Sequence, residues 1–269
     1  MTDGVEGPQL GIDASVAHPA RRYNYWLGGK DNFAADRESG DEFVRKFPAV
    51  RTAARANRAM LQRAVRFLAA ERGLRQFLDI GTGLPTADNT HEVAQRVAPD
   101  ARVVYVDNDP LVMTHARALL TSSKAGRTSY LEADLRDPEQ ILAEARSTLD
   151  LDQPVAVMLV AVLHFIPGDG AALPLVQKIM AGLPAGSYLT ATHATIDFAP
   201  AEMRAAHAEM RAAGRSDVWT RSRDEFAEIF EGMTLEEPGI VPVTEWRPDE
   251  GAEIPPRREV AIWGGVARK

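Results

Sequence analysis

The stretch Phe77-Leu-Asp-Ile-Gly-Thr-Gly-Leu-Pro85 decides the fold. Its apolar first half, residues 76–80, has the composition of a buried strand and runs directly into Gly81-Thr82-Gly83. Glycines at such a turn let the backbone bend tightly and let a ligand approach it closely. We therefore predict a strand, a ligand-binding glycine turn, and a helix that opens at the turn and ends near Val97.

The same alternation of strands and helices continues along the chain. Apolar runs predict strands at 76–80, 102–107, 128–133, 154–161, 186–193, 234–245 and 259–267. Helical periodicity and capping residues predict helices at 51–72, 109–120, 137–149, 171–183, 200–213 and 222–231. This order indicates an α/β fold with a mostly parallel sheet covered by helices on both faces. The last two strands lack an intervening helix, so we expect an antiparallel C-terminal hairpin at one edge of a seven-stranded sheet.

Composition excludes several classes of protein. The 269 residues include 31 basic and 38 acidic side chains, a net charge of −7, and no cysteine. The acidic balance disfavours a dedicated nucleic-acid binder, and the absence of cysteine excludes a disulfide framework and a cysteine nucleophile. The longest apolar run, Val155 to Leu163, is shorter than the roughly 20 residues that cross a bilayer. We expect a cytoplasmic protein that binds neither membrane nor nucleic acid.

The pattern also predicts how the chain is organised. Residues 1–17 lack an apolar period and are expected to be a disordered tail. Residues 18–73 combine clustered aromatic side chains with a long helix, which predicts an N-terminal helical cap. Residues 74–269 form the predicted main domain, in which residues 194–233, approximately, are inserted as a second cap.

Carboxylates follow the first three predicted strands. Asp79 either attracts an ammonium group of a ligand or only caps its own turn. Asp107 ends the second strand, where a carboxylate can accept hydrogen bonds from both hydroxyls of a ribose. Asp109 is explained as the helix N-cap before Pro110. Asp134, at the end of the third strand, can accept a hydrogen bond from an adenine amino group.

Candidate catalytic groups are less well separated. His164 comes just after the most buried predicted strand, which ends at Ala161. The backbone at this strand end is expected to face the ligand. His193 ends the fifth strand and is expected to face the same cleft. Tyr25 and Asp31 lie in the aromatic N-terminal segment. Any of His164, His193, Tyr25 and Asp31 can serve as a base, although a single histidine at a strand end is more often structural.

The glycine spacing bears on the cofactor. Gly81-x-Gly83-x-x-Thr86 lacks the third glycine that a dinucleotide fingerprint places against a pyrophosphate. A nicotinamide-dependent oxidoreductase is therefore disfavoured, although it stays a rival hypothesis. No spacing of metal ligands is evident, so no metal site is predicted.

These segments together resemble class I S-adenosylmethionine-dependent methyltransferases. A narrower resemblance rests on residues 21–37, on Asn57-Arg58 and on residues 77–86, which are similar to the S-adenosyl methyltransferase family. This resemblance extends over nearly the whole chain and implies a Rossmann-like fold with S-adenosylmethionine as cofactor. Pro85 stands where most class I members have glycine. The resemblance implies no particular methyl acceptor, and we expect a small molecule.

The resemblance and the strand-end reasoning give one set of candidate cofactor-binding residues. They are Tyr23, Lys30, Asp79, Gly81, Thr82, Gly83, Asp107, Asn108, Asp134, Leu135 and Ala161. Lys30 is expected to pair with the methionine carboxylate of the cofactor, and Leu135 to cover the adenine ring. Tyr23 either walls the site or anchors the N-terminal helices on the sheet. A protein that binds S-adenosylmethionine without transferring its methyl group is the alternative function, in a regulatory role.

Overall fold

A computed structural model describes residues 12–119, 123–213 and 217–269 of the chain. The predicted tail, 1–17, falls mostly on residues 1–11, which lie outside these ranges. The strands are β1 (Gln76–Ile80), β2 (Arg102–Asp107), β3 (Arg127–Glu132), β4 (Ala156–Leu159), β5 (Tyr188–Ala194), β6 (Thr234–Leu235), β7 (Val241–Pro242) and β8 (Ile262–Arg268). The helices are α1 (Pro19–Trp26), α2 (Ala34–Lys46), α3 (Val50–Ala70), α4 (Thr90–Val97), α5 (Pro110–Leu119), α6 (Pro138–Ala145), α7 (Ala172–Ala181), α8 (Ala201–Ala212), α9 (Arg223–Ala227) and α10 (Arg257–Val260).

One sheet runs through the molecule in the order β3-β2-β1-β4-β5-β8-β6. The first five strands pair in parallel, and β8 is antiparallel to β5 and to β6. β7 pairs with β8 farther along the same edge as β6, so the two short strands share the seventh position. The predicted α/β class, the parallel sheet and the antiparallel C-terminal strands are confirmed.

The two last predicted strands differ from the observed ones. The strand expected at 234–245 is broken into β6 and β7, because Pro238 has no N–H for the ladder and Gly239 turns the chain with φ 83°. The strand expected at 259–267 begins only at Ile262. The preceding residues form the short helix α10, which ends at Ala261 with φ 49°.

The helix after the glycine turn also starts later than predicted. α4 begins at Thr90, seven residues beyond Gly83, where Asn89 and Glu92 form a capping box. Between them the chain contains Pro85 and Asp88, and Asp88 has φ 58°. The helix therefore does not open at the turn itself, and the intervening loop borders the ligand side of the sheet.

Helix α3 holds the N-terminal segment against the sheet at β8, near the edge that β6 and β7 form. A Cβ added at Gly264 in β8 would lie 2.3 Å from Sδ of Met60, so the helix approaches the strand as closely as glycine permits. Arg63 donates hydrogen bonds to the carbonyl oxygens of Val243 and Trp246 at 2.6 and 3.0 Å. α3 thereby also holds the segment between β7 and α10. Within the described ranges, no helix is both long and apolar enough to cross a membrane.

Candidate functional site

A cavity of about 1130 Å³ opens at the carboxyl ends of β1 to β4. Open parallel sheets bind their ligands at this edge. Helices α1, α3 and α8 contribute to its wall, as do residues 194–200 and 217–220. The volume exceeds the roughly 300–1,000 Å³ of a typical single-ligand pocket. The cavity therefore has room for a cofactor and a second molecule.

The glycine turn after β1 forms the floor of this cavity. Gly81 has φ 73°, and its N–H donates to the carbonyl oxygen of Val106 at 2.8 Å. A Cβ at Gly81 would lie 2.4 Å from Cγ2 of Val162, so this position requires glycine for space as well as for conformation. Gly83, with φ 67°, has open space on its Cβ side, where a ligand can approach the backbone. Thr82 lines the cavity between them.

Asp107 lies at the end of β2 and holds this turn. Its Oδ2 accepts a hydrogen bond from the Gly83 N–H at 2.8 Å, and its Oδ1 accepts one from the Asp109 N–H at 3.0 Å. Burial raises the pKa of Asp107, and these two hydrogen bonds oppose the shift. Each carboxylate oxygen keeps a second lone pair. Asp107 can therefore receive two ribose hydroxyls without releasing the turn.

Asp109 connects the end of β2 to the N-terminal segment. It caps α5 through the Leu111 N–H at 2.9 Å, as predicted. The same buried carboxylate receives two hydrogen bonds from Arg21 in α1, at 2.9 and 3.0 Å. His18 lies 3.1 Å from it through Nδ1. This paired contact fixes α1 beside the cavity.

Asp134 follows β3 and lies on the cavity wall with its neighbours. Its Oδ1 accepts from the Arg136 N–H at 2.8 Å, and its Oδ2 from the Asn108 side chain at 3.0 Å. Partial burial opposes ionisation of Asp134, but these hydrogen bonds lower its pKa overall. Leu135 is buried against the core and faces the cavity. The pair offers an acceptor and an apolar surface to a purine.

Asp79 sits at the end of β1 beneath the cavity. It is 3% exposed, and its Oδ2 accepts a hydrogen bond from the Thr90 hydroxyl at 2.6 Å. Burial raises the pKa of Asp79 to about 6, while Thr90 and the nearby Arg58 act in the opposite direction. Arg58 was missed as a candidate by the sequence reasoning. It enters the site from α3, and only its place in the Asn57-Arg58 pair pointed to it.

Two polar atoms from α3 face this region without a partner among the described residues. They are Nε of Arg58 and Oδ1 of Asn57, both buried. The other face of Arg58 is occupied, because Nη2 donates to Oδ1 of Asn89 at 2.9 Å. A free donor and a free acceptor beside a buried carboxylate suit the zwitterionic end of an amino acid.

The two histidine candidates occupy different environments. His164, just after β4, lines the cavity, and its buried Nδ1 has no hydrogen-bond partner among the described residues. Burial, with the charges of Arg22 and Arg221, lowers the pKa of His164 to about 3, so it is neutral at neutral pH. His193 is fully buried and is absent from the cavity wall; its Nε2 lies 2.7 Å from Nη1 of Arg221. Between the two, only His164 can touch a ligand in the cavity.

Arg221 is a structural residue that the sequence did not reveal. Its guanidinium donates to the carbonyl oxygens of Leu163, Ile166 and Gly168 at 2.9 to 3.2 Å. It therefore fixes the loop after β4 that carries His164. Ala161, at the start of this loop, has φ 57° and donates its N–H to the Thr192 hydroxyl at 2.9 Å. Backbone strain of this kind is typical of functional sites.

The N-terminal candidates separate in space. Tyr23 lines the cavity, donates its hydroxyl to the Ala54 carbonyl at 2.9 Å and accepts from Asn57 at 3.1 Å. Lys30, Tyr25 and Asp31 do not line it. The Tyr25 hydroxyl instead donates to Asp41 at 2.8 Å, and Asp31 lies 3.8 Å from His115. The structure thus brings ten of the eleven predicted cofactor residues, all except Lys30, around one cavity.

The described residues hold no group of three or more histidine, aspartate or glutamate side chains spaced for a metal ion. What they do assemble is a cavity whose lining has the groups that an amino-acid-bearing nucleoside requires. Its parts are an open glycine turn, a buried carboxylate with free lone pairs and the unpartnered atoms of α3. This site on a parallel sheet with antiparallel C-terminal strands defines a Rossmann-like protein of the class I methyltransferase type.

The chain belongs to the S-adenosyl methyltransferase family, whose sequence profile matches residues 6–269. Its structure is similar to a DUF574 family protein of Streptomyces avermitilis MA-4680, with 47% identity, a TM-score of 0.87, and coverage of 96% of this chain and 99% of that one. It is also similar to a putative methyltransferase of Thermobifida fusca YX, with 42% identity, a TM-score of 0.86, and coverage of 98% and 99%.

A curated relative extends the comparison over part of the chain. It is the carboxy-S-adenosyl-L-methionine synthase of Trichlorobacter lovleyi, 32% identical over 146 residues, which are 52% of this chain. The match spans about half, 54%, of that relative's length.

Proposed function

We propose that the protein binds S-adenosylmethionine and transfers its methyl group to a small-molecule acceptor. The observation that carries this proposal is the continuity of the cavity. Asp107 and Asp134 line the same cavity as residues of α1, α3 and α8. Family membership supports the cofactor, as does the name of the partly matching relative. The whole cavity, about 1130 Å³, is larger than the roughly 300–1,000 Å³ of a typical single-ligand pocket.

The cofactor supplies a methyl group already activated on a sulfonium. The chain therefore has mainly to hold both molecules in line and exclude water, and such positioning contributes roughly 7–11 kcal/mol to catalysis. In this proposal Asp107 binds the ribose, and Asp134 with Leu135 binds the adenine. Asp79 and Arg58 bind the amino and carboxylate groups of the methionine end.

His164 is the group best placed to meet the acceptor. It follows β4 at the cavity wall, and Arg221 holds its loop rigid. A neutral imidazole can accept a hydrogen bond from an acceptor hydroxyl or amine and so orient its lone pair. A pKa of about 3 makes it a weak proton acceptor, since general bases work best with a pKa near the operating pH. We therefore propose His164 as an orienting residue, with His193, Tyr25 and Asp31 outside the reaction.

The division of the chain into a main domain and two caps is part of the same proposal. Residues 18–73 and 194–233 act as two covers over one cavity in the domain of residues 74–269, since both segments contribute to its wall. A cytoplasmic location is proposed from the sequence alone.

A thermal-shift titration with S-adenosylmethionine, S-adenosylhomocysteine and NADH tests the cofactor. A ligand at 100 times its Kd stabilises a protein by about 2.7 kcal/mol, which raises Tm by several degrees at roughly 2–4 °C per kcal/mol. We expect a rise with the two adenosyl compounds and none with NADH. A rise with NADH alone would support the rival oxidoreductase. Binding of S-adenosylmethionine without methylation of any compound in a broad acceptor screen would favour the regulatory alternative.

A further inference from the structure

Arg22 is a buried cation on the acceptor side of the cavity. It lies on α1, is 6% exposed and forms part of the cavity wall. Its Nη1 donates to the Ser39 hydroxyl at 3.2 Å, and its Nη2 pairs with Asp217. Its Nε is buried and has no hydrogen-bond partner among the described residues. A buried guanidinium with an unused N–H at a cavity can receive an anion from the cavity.

The present counter-ion of Arg22 is easily displaced. The Asp217 side chain is 53% exposed, whereas that of Arg22 is 8% exposed. Asp217 is therefore already partly hydrated in the ion pair, and water can hydrate it fully when it leaves. A ligand carboxylate can take its place and add a hydrogen bond from Nε, because two parallel N–H donors match a carboxylate.

Apolar side chains also line the cavity that Arg22 borders. Trp26 lies one helical turn farther along α1, on the same face, with its ring 5.9 Å from Cζ of Arg22. Phe47 lines the same cavity, and Met203 and Met210 reach it from one face of α8. A ligand that binds Arg22 therefore places its remaining atoms among aromatic and methionine side chains.

Arg22 is also close to the end of β4. Both side chains line the same cavity, and the charge of Arg22 contributes to the lowered pKa of His164. An anion on Arg22 thus lies in the cavity that His164 also lines. Asp217 lies two residues before Trp219. The backbone N–H of Trp219 donates to the His164 carbonyl oxygen at 2.7 Å.

We propose that the acceptor is an apolar carboxylic acid whose carboxylate binds Arg22 and whose apolar body packs between Trp26 and α8. This inference rests on the proposed function, because it names the chemical class that the acceptor half of the cavity takes. The competing explanation is that Arg22 and Asp217 only fasten α1 to the loop after α8.

Matched acids and amides test the proposal. Phenylacetate, 3-phenylpropionate and octanoate are titrated by calorimetry into the protein, with and without saturating S-adenosylhomocysteine, beside their primary amides. We expect at least one acid to bind about tenfold or more tightly than its amide, as a charge-assisted hydrogen bond provides. The preference should vanish in Arg22→Gln and persist in Arg45→Gln, an exposed arginine of α2 that does not line the cavity.

A second variant distinguishes ligand binding by Arg22 from a purely structural role of the Arg22–Asp217 ion pair. It does not require that Arg22→Gln folds. Asp217→Asn removes the internal counter-ion, so it should tighten binding of the preferred acid. If Arg22–Asp217 is only a fastening, Asp217→Asn will lower Tm and leave acid binding unchanged. Equal binding of every acid and its amide to the wild type would overturn the proposal. Failure of S-adenosylhomocysteine to bind would instead overturn the proposed function, and the titrations without it would still report on Arg22.

Discussion

The carboxylate of Asp107 and the backbone N–H of Gly83 are joined by a hydrogen bond of 2.8 Å. The bond ties the end of β2 to the glycine turn after β1, so the carboxylate proposed to bind the ribose and the backbone of the turn are positioned together. Asp107 is buried, and its partners are backbone groups. Its orientation is therefore fixed before any ligand arrives.

Asp107→Ala should weaken binding of S-adenosylmethionine by about tenfold to a hundredfold, because hydrogen bonds to a charged group contribute about 1.5–3 kcal/mol. Isothermal calorimetry measures the change, and circular dichroism confirms folding. Asp224→Ala, at an exposed position of α9, is the matched control and should bind normally. Unchanged affinity in Asp107→Ala would refute the placement of the ribose.

Cofactor affinity should increase with pH through the titration of Asp79. Its pKa is about 6, so the ionised fraction rises from roughly a tenth at pH 5 to roughly nine tenths at pH 7. Only the ionised form attracts the cofactor's ammonium group, which predicts about tenfold tighter binding at pH 7 than at pH 5. Asp79→Asn should bind weakly at both pH values. A wild-type affinity that is independent of pH would contradict the assignment.

Arg58→Gln and Lys30→Gln separate two assignments for the methionine carboxylate. Arg58 lines the cavity with an unpartnered Nε, and Lys30 does not line it. We expect Arg58→Gln to raise the Kd for S-adenosylhomocysteine about tenfold or more, and Lys30→Gln to change it by less than about twofold. The reverse order would restore Lys30 as the carboxylate ligand.

Gly81→Ala should both destabilise the protein and impair cofactor binding. A residue with a Cβ pays about 1–2 kcal/mol for a left-handed conformation, and here its Cβ would also meet Val162 at 2.4 Å. Gly73→Ala is the matched control, since Gly73 has φ 69° and open space around it. The control should lose about 1–2 kcal/mol in the free energy of unfolding and keep its cofactor affinity. Equal losses in the two variants would show that the contact with Val162 is unimportant.

Acid should destabilise the protein through its buried histidines. Burial lowers the pKa of His193 well below its ordinary value, with His164 adding to the shift. The unfolded chain therefore binds a proton near pH 6.5 that the folded chain does not bind. The free energy of unfolding is lost as pH falls through this value, by about 2 kcal/mol per buried histidine at pH 5. Urea unfolding of wild type and His193→Gln at pH 7 and pH 5 should give a smaller loss in the variant.

Asp79 acts in the opposite direction. Its raised pKa contributes stability that is complete below about pH 4 and is lost as pH rises through about 6. When pH falls from 7 to 5, protonation of Asp79 therefore offsets part of the loss of stability in the wild type. Asp79→Asn lacks this offset and should lose more stability over the same pH change. A loss equal to that of the wild type would show that Asp79 titrates alike in the folded and unfolded chain.

Local sequence was enough to predict which residues meet around the cavity at the carboxyl ends of β1 to β3. Gly81, Asp107 and Asp134 each follow a strand that the apolar runs reveal, and parallel strands bring their carboxyl ends to one edge. The position of His193 was not predictable in the same way. The sequence places His193 at the end of β5, but it does not show on which face of the sheet the side chain lies. In the structure the His193 ring packs 5.7 Å from the ring of Phe226 and is buried away from the cavity.

Contacts distant in sequence were also out of reach. Arg21 meets Asp109 across 88 residues, and Arg221 meets the loop after β4 across more than 50. Neither pair has a local periodicity that marks it. The late start of α4 has a local cause, because Pro85 and the left-handed Asp88 interrupt the backbone before a capping box can form. The break between β6 and β7 also has a local cause, Pro238, which the predicted continuous strand at 234–245 did not take into account.

The close approach of Met60 to Gly264 has a consequence for synthesis of the chain on the ribosome. Helix α3 emerges early, but the strand on which it packs is translated about 200 residues later. Until then the surface of α3 around Met60 lacks its partner on β8, although α4 already packs on the helix. Exposed apolar surface of this kind invites aggregation or chaperone capture. Helices α1 and α3 are synthesised first, but α3 reaches its final position on the sheet only after β8 has been synthesised. The cavity that these helices line is therefore completed late in folding.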